Sequence, residues 1–383
     1  MSSIKWTKKE EEMLIRMLSD EESSWKDILD ALHRSHSSVQ HKAYSLGLRE
    51  KYLEKQPRVS SDRDNTSEII KDTKEIVEKV VGKLEKRKRM EARIPSRTKL
   101  IPETWVNMFS DLHYGLLVKP LEVEGMSEYN TKVARARVEY LLQTLKRILE
   151  YFPNRPRTLV VPFLGDMIDN SIMRGNQRSN IELNAVDQVI YVTEIIVDYI
   201  TELTRYFPIV KCYGVYGNHG RITRGIKDSA PAENFDKVVY WAVKKRIENY
   251  KNVSFDYTEA QHMIADINGW KFWLEHGDSV RGWAGIPFYG AKREKSNIGE
   301  MLGIFSQYAD YVLMGHHHQP AHFNNIFING AFIGGDLYSI GKLRRMSLPS
   351  QTLLGVNRKH GVVWQRDITL IDNPKNLKLR IYE

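Results

Sequence analysis

Five times along this chain an apolar run that reads as a buried strand stops at a short cluster of polar residues. The runs are residues 105–109, 159–164, 210–215, 270–274 and 311–314. The clusters that follow them are Asp111-Leu112-His113, Gly165-Asp166-Met167-Ile168-Asp169, Gly217-Asn218-His219, His276-Gly277 and Gly315-His316-His317-His318. Helical patterns at 131–151, 184–205 and 233–249 alternate with the first three runs, and later segments, 262–266 with 270–274, 327–333 and 362–371, read as a hairpin and two further strands. An α/β fold with two packed sheets flanked by helices follows. In layered sheets ligands collect outside the carboxyl ends of the strands, so one pocket can gather all five clusters.

The residue types in those clusters suit metal ions. Imidazole, carboxylate and amide oxygen admit manganese, iron, zinc and nickel alike; no thiolate is offered, because the single cysteine, Cys212, lies inside a strand, and two ions of manganese are the expected cofactor, with iron, zinc, nickel or magnesium as alternatives. Two divalent ions held roughly 3.5–4 Å apart need a bridge, and a carboxylate has two oxygens to supply it.

In this order the motifs resemble the signature D-x-H, G-D-x-x-D, G-N-H-[DE], H and G-H-x-H of the calcineurin-like metallophosphoesterases, whose fold is a two-sheet β-sandwich flanked by helices. The resemblance implies that Asp111, His113, Asp166 and His318 hold one metal and that Asp166, Asn218, His276 and His316 hold the other, with Asp166 as bridge. It implies that His219 is the catalytic histidine that protonates the leaving oxygen or stabilises phosphoryl charge. His317, between two ligands, points away if the segment is extended. The chain departs from the signature at Gly220, where the family carries an acid; the support that orients His219 must then come from elsewhere. Arg221 and Arg224 either face phosphate or form a solvated basic loop.

At 383 residues and 42% hydrophobic content the chain has room for two or three domains. Three are read: residues 1–54, 55–100 and 101–383. No apolar stretch reaches the ~18–20 residues needed to span a bilayer, and the N-terminus lacks a secretory apolar core, so a cytoplasmic location and no membrane association are expected. The net charge of +9 favours polyanionic partners.

Residues 1–54 read as a small all-α three-helix bundle. Thr7 caps the first helix with Glu10 in the capping-box position, Ser23 or Ser24 caps the second, Ser35 or Ser37 the third, and Gly47 closes it; Trp6 and Trp25 are expected core and Tyr44 lies on the third helical stripe. The spacing resembles a Myb/SANT-type helix-turn-helix whose third helix, through Gln40 and Lys42, is the reader of nucleic acid. Residues 1–55 carry ten Lys/Arg against ten Asp/Glu, so protein docking or a structural role stays open.

Within 55–100, Ile70, Thr73, Val77, Val80 and Leu84 fall at heptad spacing, which either pairs subunits through residues 69–84 or docks one helix on its own domain; five positions are few, and docking is favoured. Residues 83–99 hold eight basic against two acidic side chains, a backbone-tracking patch or a solvated helix end.

Two insertions are expected to overhang the metals: 170–178, with Arg174 and Arg178, and 281–289 with Arg281, Trp283, Phe288 and Tyr289, followed by Lys292, Arg293 and Lys295. Basic residues interleaved with aromatics suit stacking and backbone contact with nucleic acid, DNA by preference; packing of the aromatics onto the domain is the alternative. The reading is a dinuclear-metal phosphodiesterase, a DNA nuclease similar in character to SbcD-type repair exonucleases and phage-encoded, cleaving by in-line attack of hydroxide generated at the ions. No helices for an ATPase partner are evident after the last strands, which argues against double-strand end resection. The alternatives are a phosphatase or cyclic-nucleotide phosphodiesterase with an N-terminal docking module, and a DNA-binding regulator with a vestigial metal site.

Overall fold

The computed structural model describes residues 6–20, 23, 25–34, 36–48, 51, 71–79, 100–152, 154–171, 180–222, 231, 233–280 and 287–371. The chain divides into two compact units, Met1–Asn65 and Thr66–Glu383. No helix among the described residues is long and apolar enough to cross a membrane.

In the first unit α1 (Lys8–Ser19), α2 (Trp25–Leu32) and α3 (His36–Ser45) enclose a core of Leu14, Leu18, Ile28, Leu32, Val39 and Ala43, with Trp6 packed against it. The Thr7 capping box forms in full: Thr7 Oγ1 accepts the Glu10 amide at 3.3 Å and Glu10 Oε2 accepts the Thr7 amide at 2.7 Å. Arg34 closes the far side by pairing with Glu10 at 2.9 Å. Tyr44 does not join the core and is exposed, because the buried stripe of α3 runs through Val39 and Ala43. The Trp25 side chain lies outside the described residues.

The second unit is built in four layers. A six-stranded sheet has the order β11-β10-β1-β2-β3-β4, where β1 is Leu100–Asn107, β2 Arg155–Leu164, β3 Ile209–Val215, β4 Val253–Tyr257, β10 Ser350–Asn357 and β11 Gly361–Thr369. Strands β1 to β4 are parallel, joined by crossover helices α4 (Thr131–Tyr151), α5 (Ala185–Leu203) and α6 (Phe235–Ile247). Each crossover helix starts at an asparagine: Asn130, Asn184 and Asn234 accept amides of their own first turns. A five-stranded sheet, order β5-β6-β7-β9-β8, contains β5 (His262–Ile267), β6 (Trp270–Glu275), β7 (Tyr311–Met314), β8 (Ala321–Phe323) and β9 (Ile326–Ile328).

The pleat sorts the side chains. Leu159, Val161 and Phe163 of β2 face the crossover helices, whereas Val160 and Leu164 enter the space between the sheets with Phe272, Leu274 and Leu313. The outer face of the second sheet, through Trp273, Val312 and Met314, is covered by α7 (Phe288–Gly303) with Ala291, Ile298 and Leu302.

Three expectations need correction. The strand expected over 327–333 ends at Ile328; Asn329 to Ile333 continue as a buried loop, in which the Asn329 and Phe332 amides meet the Met314 and Asp111 carbonyls and the Asn329 side chain accepts the Thr352 amide. The basic stretch after His276 is not all loop: from Phe288 onward it is α7, with Phe288 edge-on to Phe323 at 5.1 Å. Two strands of the first sheet, β4 and β10, were not anticipated. Strand β10 is buried along most of its length and pairs with strands on both sides, so it lacks the alternation that marks a half-buried strand.

Residues 71–79 are helical. Val77 joins the core of the second unit, Thr73 is buried and Lys74 stands over the Trp241 ring, so two heptad positions are used within the chain's own fold. Ile70, Val80, Leu84 and the basic stretch 83–99 lie outside the described residues.

Candidate metal centre

The polar clusters leave the ends of β1, β2, β3, β6 and β7 and converge. Asp111, His113, Asp166, His316 and His318 all have positive φ, from 44° to 64°. Non-glycine residues take this left-handed conformation at a cost of about 1–3 kcal/mol each, tolerated where the surrounding structure forces it and concentrated at functional sites.

Three groups of possible ligand atoms result, two of which hold the motif residues assigned to metal. In the first, His318 Nε2 lies 3.2 Å from both His113 Nε2 and Asp111 Oδ1. In the second, His276 Nε2 lies 2.9 Å from Asn218 Oδ1 and 3.1 Å from Asp166 Oδ2, and His316 completes a cluster with Asp166 and His276. Asp166 Oδ2 is the shared atom, because it also stands 3.7 Å from His113 Nε2.

That oxygen is buried and receives no hydrogen bond. A bare carboxylate oxygen with no partner is costly away from water, and a cation is the partner that its surroundings suit. The histidines are oriented for the same purpose. Nδ1 of His276 meets the Leu164 carbonyl at 2.7 Å and Nδ1 of His113 meets Asp169 Oδ1 at 3.1 Å, so each directs Nε2 at the cluster. Ligand atoms about 3–4 Å apart match bonds of roughly 2 Å to a common ion. The residues present therefore fit two divalent ions: Asp111, His113, Asp166 and His318 would hold one, and Asp166, Asn218, His276 and His316 would hold the other.

The backbone is fitted to this geometry. A Cβ on Gly217 would fall 2.0 Å from Asp166 Oδ1, so the loop can pass the bridging carboxylate only as glycine. The other Asp166 oxygen, Oδ1, accepts the His219 amide at 2.7 Å.

His219 is outside those two groups but joins His113 and Asp169 in the third. Its Nδ1 is held by Asp169, 3.0 Å from both the carboxylate Oδ1 and the backbone carbonyl, which leaves Nε2 for proton transfer. Burial disfavours its imidazolium, but the charges of Asp166 and Asp169 outweigh this and push it up to about 9. Burial likewise opposes ionisation of Asp169, yet His219 and His113 hold its carboxyl well below the usual range.

The missing acid at position 220 has a structural explanation. A Cβ there would lie 1.9 Å from Asn234 Oδ1, at the start of α6. From that helix Asp236 reaches back beneath the site: Oδ2 accepts the amides of Asp166 and Gly217, each at 2.9 Å, and Oδ1 accepts that of Met167 at 3.1 Å. Burial first, and then the charge of Asp166, push its carboxyl up to about 6. On the opposite side Gln351 and Asn329 tie down the Asp111 loop, with Asn329 Nδ2 2.8 Å from Gln351 Oε1, which also accepts the Ser110 amide at 3.0 Å.

The sequence reading had not given roles to Asp169, Asp236, Asn329 or Gln351. Asp169 was legible as the second acid of its motif. The other three carry no local pattern, since the partners they reach are distant in sequence: Asp236 to Gly217 spans 19 positions, Asn329 to Gln351 22, and Gln351 to Ser110 241.

Of the proposed nucleic-acid contacts, Gln40, Lys42, Arg221 and Tyr289 are among the described residues. Lys42 pairs with Glu11 at 2.8 Å and lies near the Trp6 ring; Gln40 Nε2 is 3.5 Å from the Tyr44 hydroxyl. Arg221 is ion-paired with Asp278, and Tyr289 stands exposed on the first turn of α7. Arg174, Arg178, Arg224, Arg281 and Trp283 lie outside the described residues.

Residues 105–329 match the calcineurin-like phosphoesterase family, and the chain belongs to it. Among solved structures, Vps29 of Entamoeba histolytica complexed with zinc is 12% identical, covers 70% of this chain and 99% of its own, and superposes with a TM-score of 0.30. A protein of Streptococcus pneumoniae described as a predicted phosphoesterase is 11% identical over 70% of this chain and 98% of its own, with a TM-score of 0.26. No curated protein matches the chain.

Proposed function

We propose that this protein is a dinuclear-metal phosphodiesterase that cleaves nucleic acid, with DNA the preferred substrate and a chemistry similar to that of SbcD-type nucleases. The observation that carries the hydrolase part is Asp166 Oδ2, buried, without a hydrogen bond and set between His113 of one ligand group and His276 of the other. Two divalent ions, manganese by preference, supply activation of water and neutralisation of phosphoryl charge when bound. The chain's own residues do the rest. His219, fixed through Nδ1, presents a protonated Nε2 to the departing oxygen, and Asp169 stabilises that protonated form. Asp236 keeps the loops bearing Asp166 and Asn218 in register.

The nucleic-acid part is supported by the net charge of +9 and by the three-helix unit at the N-terminus, for which we propose a Myb/SANT-like helix-turn-helix role. The test is cleavage of labelled single- and double-stranded DNA beside bis-p-nitrophenyl phosphate and p-nitrophenyl phosphate, by wild type and His219→Ala. Diester and DNA hydrolysis by wild type is expected, with DNA cleavage lost in His219→Ala and bis-p-nitrophenyl phosphate hydrolysis reduced less. Activity confined to the monoester would make the protein a phosphatase.

A further inference from the structure

We infer that a second cavity against His219 is the seat of the departing nucleoside, an inference that rests on the diesterase reading and names the leaving-group side of its substrate. Among the described residues, one cavity of about 230 Å³ holds the ligand face: Asp166, Asn218, His316 and His318 line it together with Arg345. Another, of about 260 Å³, contains none of the seven ligands. His219, Asp336 and Tyr338 line both.

Catalytic logic decides what each receives. The phosphoryl group must lie at the ligand face, where its charge is neutralised. The departing oxygen must lie within reach of His219, and the rest of the departing group must extend away from the ligands. The second cavity is a space that His219 borders and the ligands do not. In the step itself the phosphorus–oxygen bond to the nucleoside breaks with its electron pair, and a water oxygen takes its place on phosphorus. The proton on His219 Nε2 goes to the departing oxygen, and the proton released from water replaces it.

The lining suits a nucleoside. Leu116, Val118 and Leu337 give an apolar wall, and Tyr338, 44% exposed, offers a ring for a base to stack on. Asn180 supplies an amide able to donate to and accept from a base edge, and Lys342 supplies a cation for the next phosphate of a longer strand. Tyr338 and Lys342 come from one short insertion between β9 and β10. Its helix, α8 (Leu337–Gly341), is fixed by a capping box in which Asp336 Oδ1 accepts the Ser339 amide at 2.7 Å.

The test is binding of free thymidine and adenosine to the full chain without added metal, followed by saturation-transfer NMR, then steady-state hydrolysis of a dinucleotide in manganese. Tyr338→Ala and Lys342→Ala alter exposed side chains; Tyr151→Ala, at the end of α4, is the control. Tyr338→Ala is expected to weaken nucleoside binding about tenfold, the scale of one base–aromatic stack, and to raise the dinucleotide KM similarly while kcat stays within about twofold. Lys342→Ala should raise KM for a trinucleotide more than for the dinucleotide, and Tyr151→Ala should change nothing. Absence of nucleoside binding, or binding unaffected by Tyr338→Ala, in a protein that hydrolyses diesters would overturn the subsite alone. Tyr338-dependent nucleoside binding in a protein that hydrolyses no diester would overturn the diesterase reading and leave the subsite standing.

Discussion

Asp236 and Asp166 are joined through a main-chain amide: Asp236 Oδ2 accepts the Asp166 N–H at 2.9 Å and, with the same oxygen, the Gly217 N–H at 2.9 Å. One buried carboxylate therefore sets the spacing between the loop bearing the bridging ligand and the loop bearing Asn218. Asp236→Asn exchanges one acceptor oxygen for a donor and leaves an amide unmatched. We expect manganese affinity to fall ~10–100-fold, the usual cost of losing a group that orients ligands, with the fold retained; calorimetric titration reads it directly.

Asp169 orients two histidines at once, with Oδ1 3.1 Å from His113 Nδ1 and 3.0 Å from His219 Nδ1. Asp169→Asn should lower kcat by ~10²–10⁴-fold on substrates whose leaving group needs a proton. The loss should be smaller for bis-p-nitrophenyl phosphate, whose leaving group departs as a stable anion. Equal losses on both substrates would place the effect on metal binding instead.

Gly220→Asp would bring back the acid that the family signature carries there, yet its Cβ would lie 1.9 Å from Asn234 Oδ1. Overpacking of this kind costs ~1–3 kcal/mol. A lower Tm and no gain in activity are expected from a thermal melt and a diesterase assay of the variant; a stable, more active variant would show that Asn234 does not exclude an acid there and that Asp169 alone does not suffice to orient His219.

Glu10 joins Thr7 to Arg34 in the first unit. Its hydrogen bonds with the Thr7 amide and hydroxyl, and then with Arg34, hold its carboxyl down at about 2, against an ordinary 4.5. The folded value lies below the unfolded one, so the stabilisation is present above about pH 4.5 and is lost as pH falls towards about 2. Protection of the α1 amides, taken relative to their intrinsic exchange rates, should fall over that window in the wild type, and Glu10→Gln should remove the part of the fall that Glu10 contributes.

The parts of the fold legible in the sequence are those written locally. The runs ending at Asn107, Leu164, Val215, Glu275 and Met314 are apolar stretches broken by polar clusters, and α4 carries its apolar stripe and its Asn130 cap within one segment. Strand β10 was not, because Gln351 and Thr352 interrupt its apolar run and are buried by partners at Ser110 and Asn329, far away in the chain. The polar clusters that converge at the candidate metal centre were legible for the same reason that Asp236 was not. A ligand sits at a strand end inside a motif, whereas Asp236 lies in the first turn of a helix and acts only through amides that folding brings to it.

The most direct measurement is hydrolysis of bis-p-nitrophenyl phosphate by chelator-stripped protein as manganese is added back. Activity should be absent at first and should reach its plateau at two equivalents per chain, and Asp166→Ala should show none at any ratio. A plateau at one equivalent, or hydrolysis that survives in Asp166→Ala, would contradict a two-ion site bridged by that carboxylate.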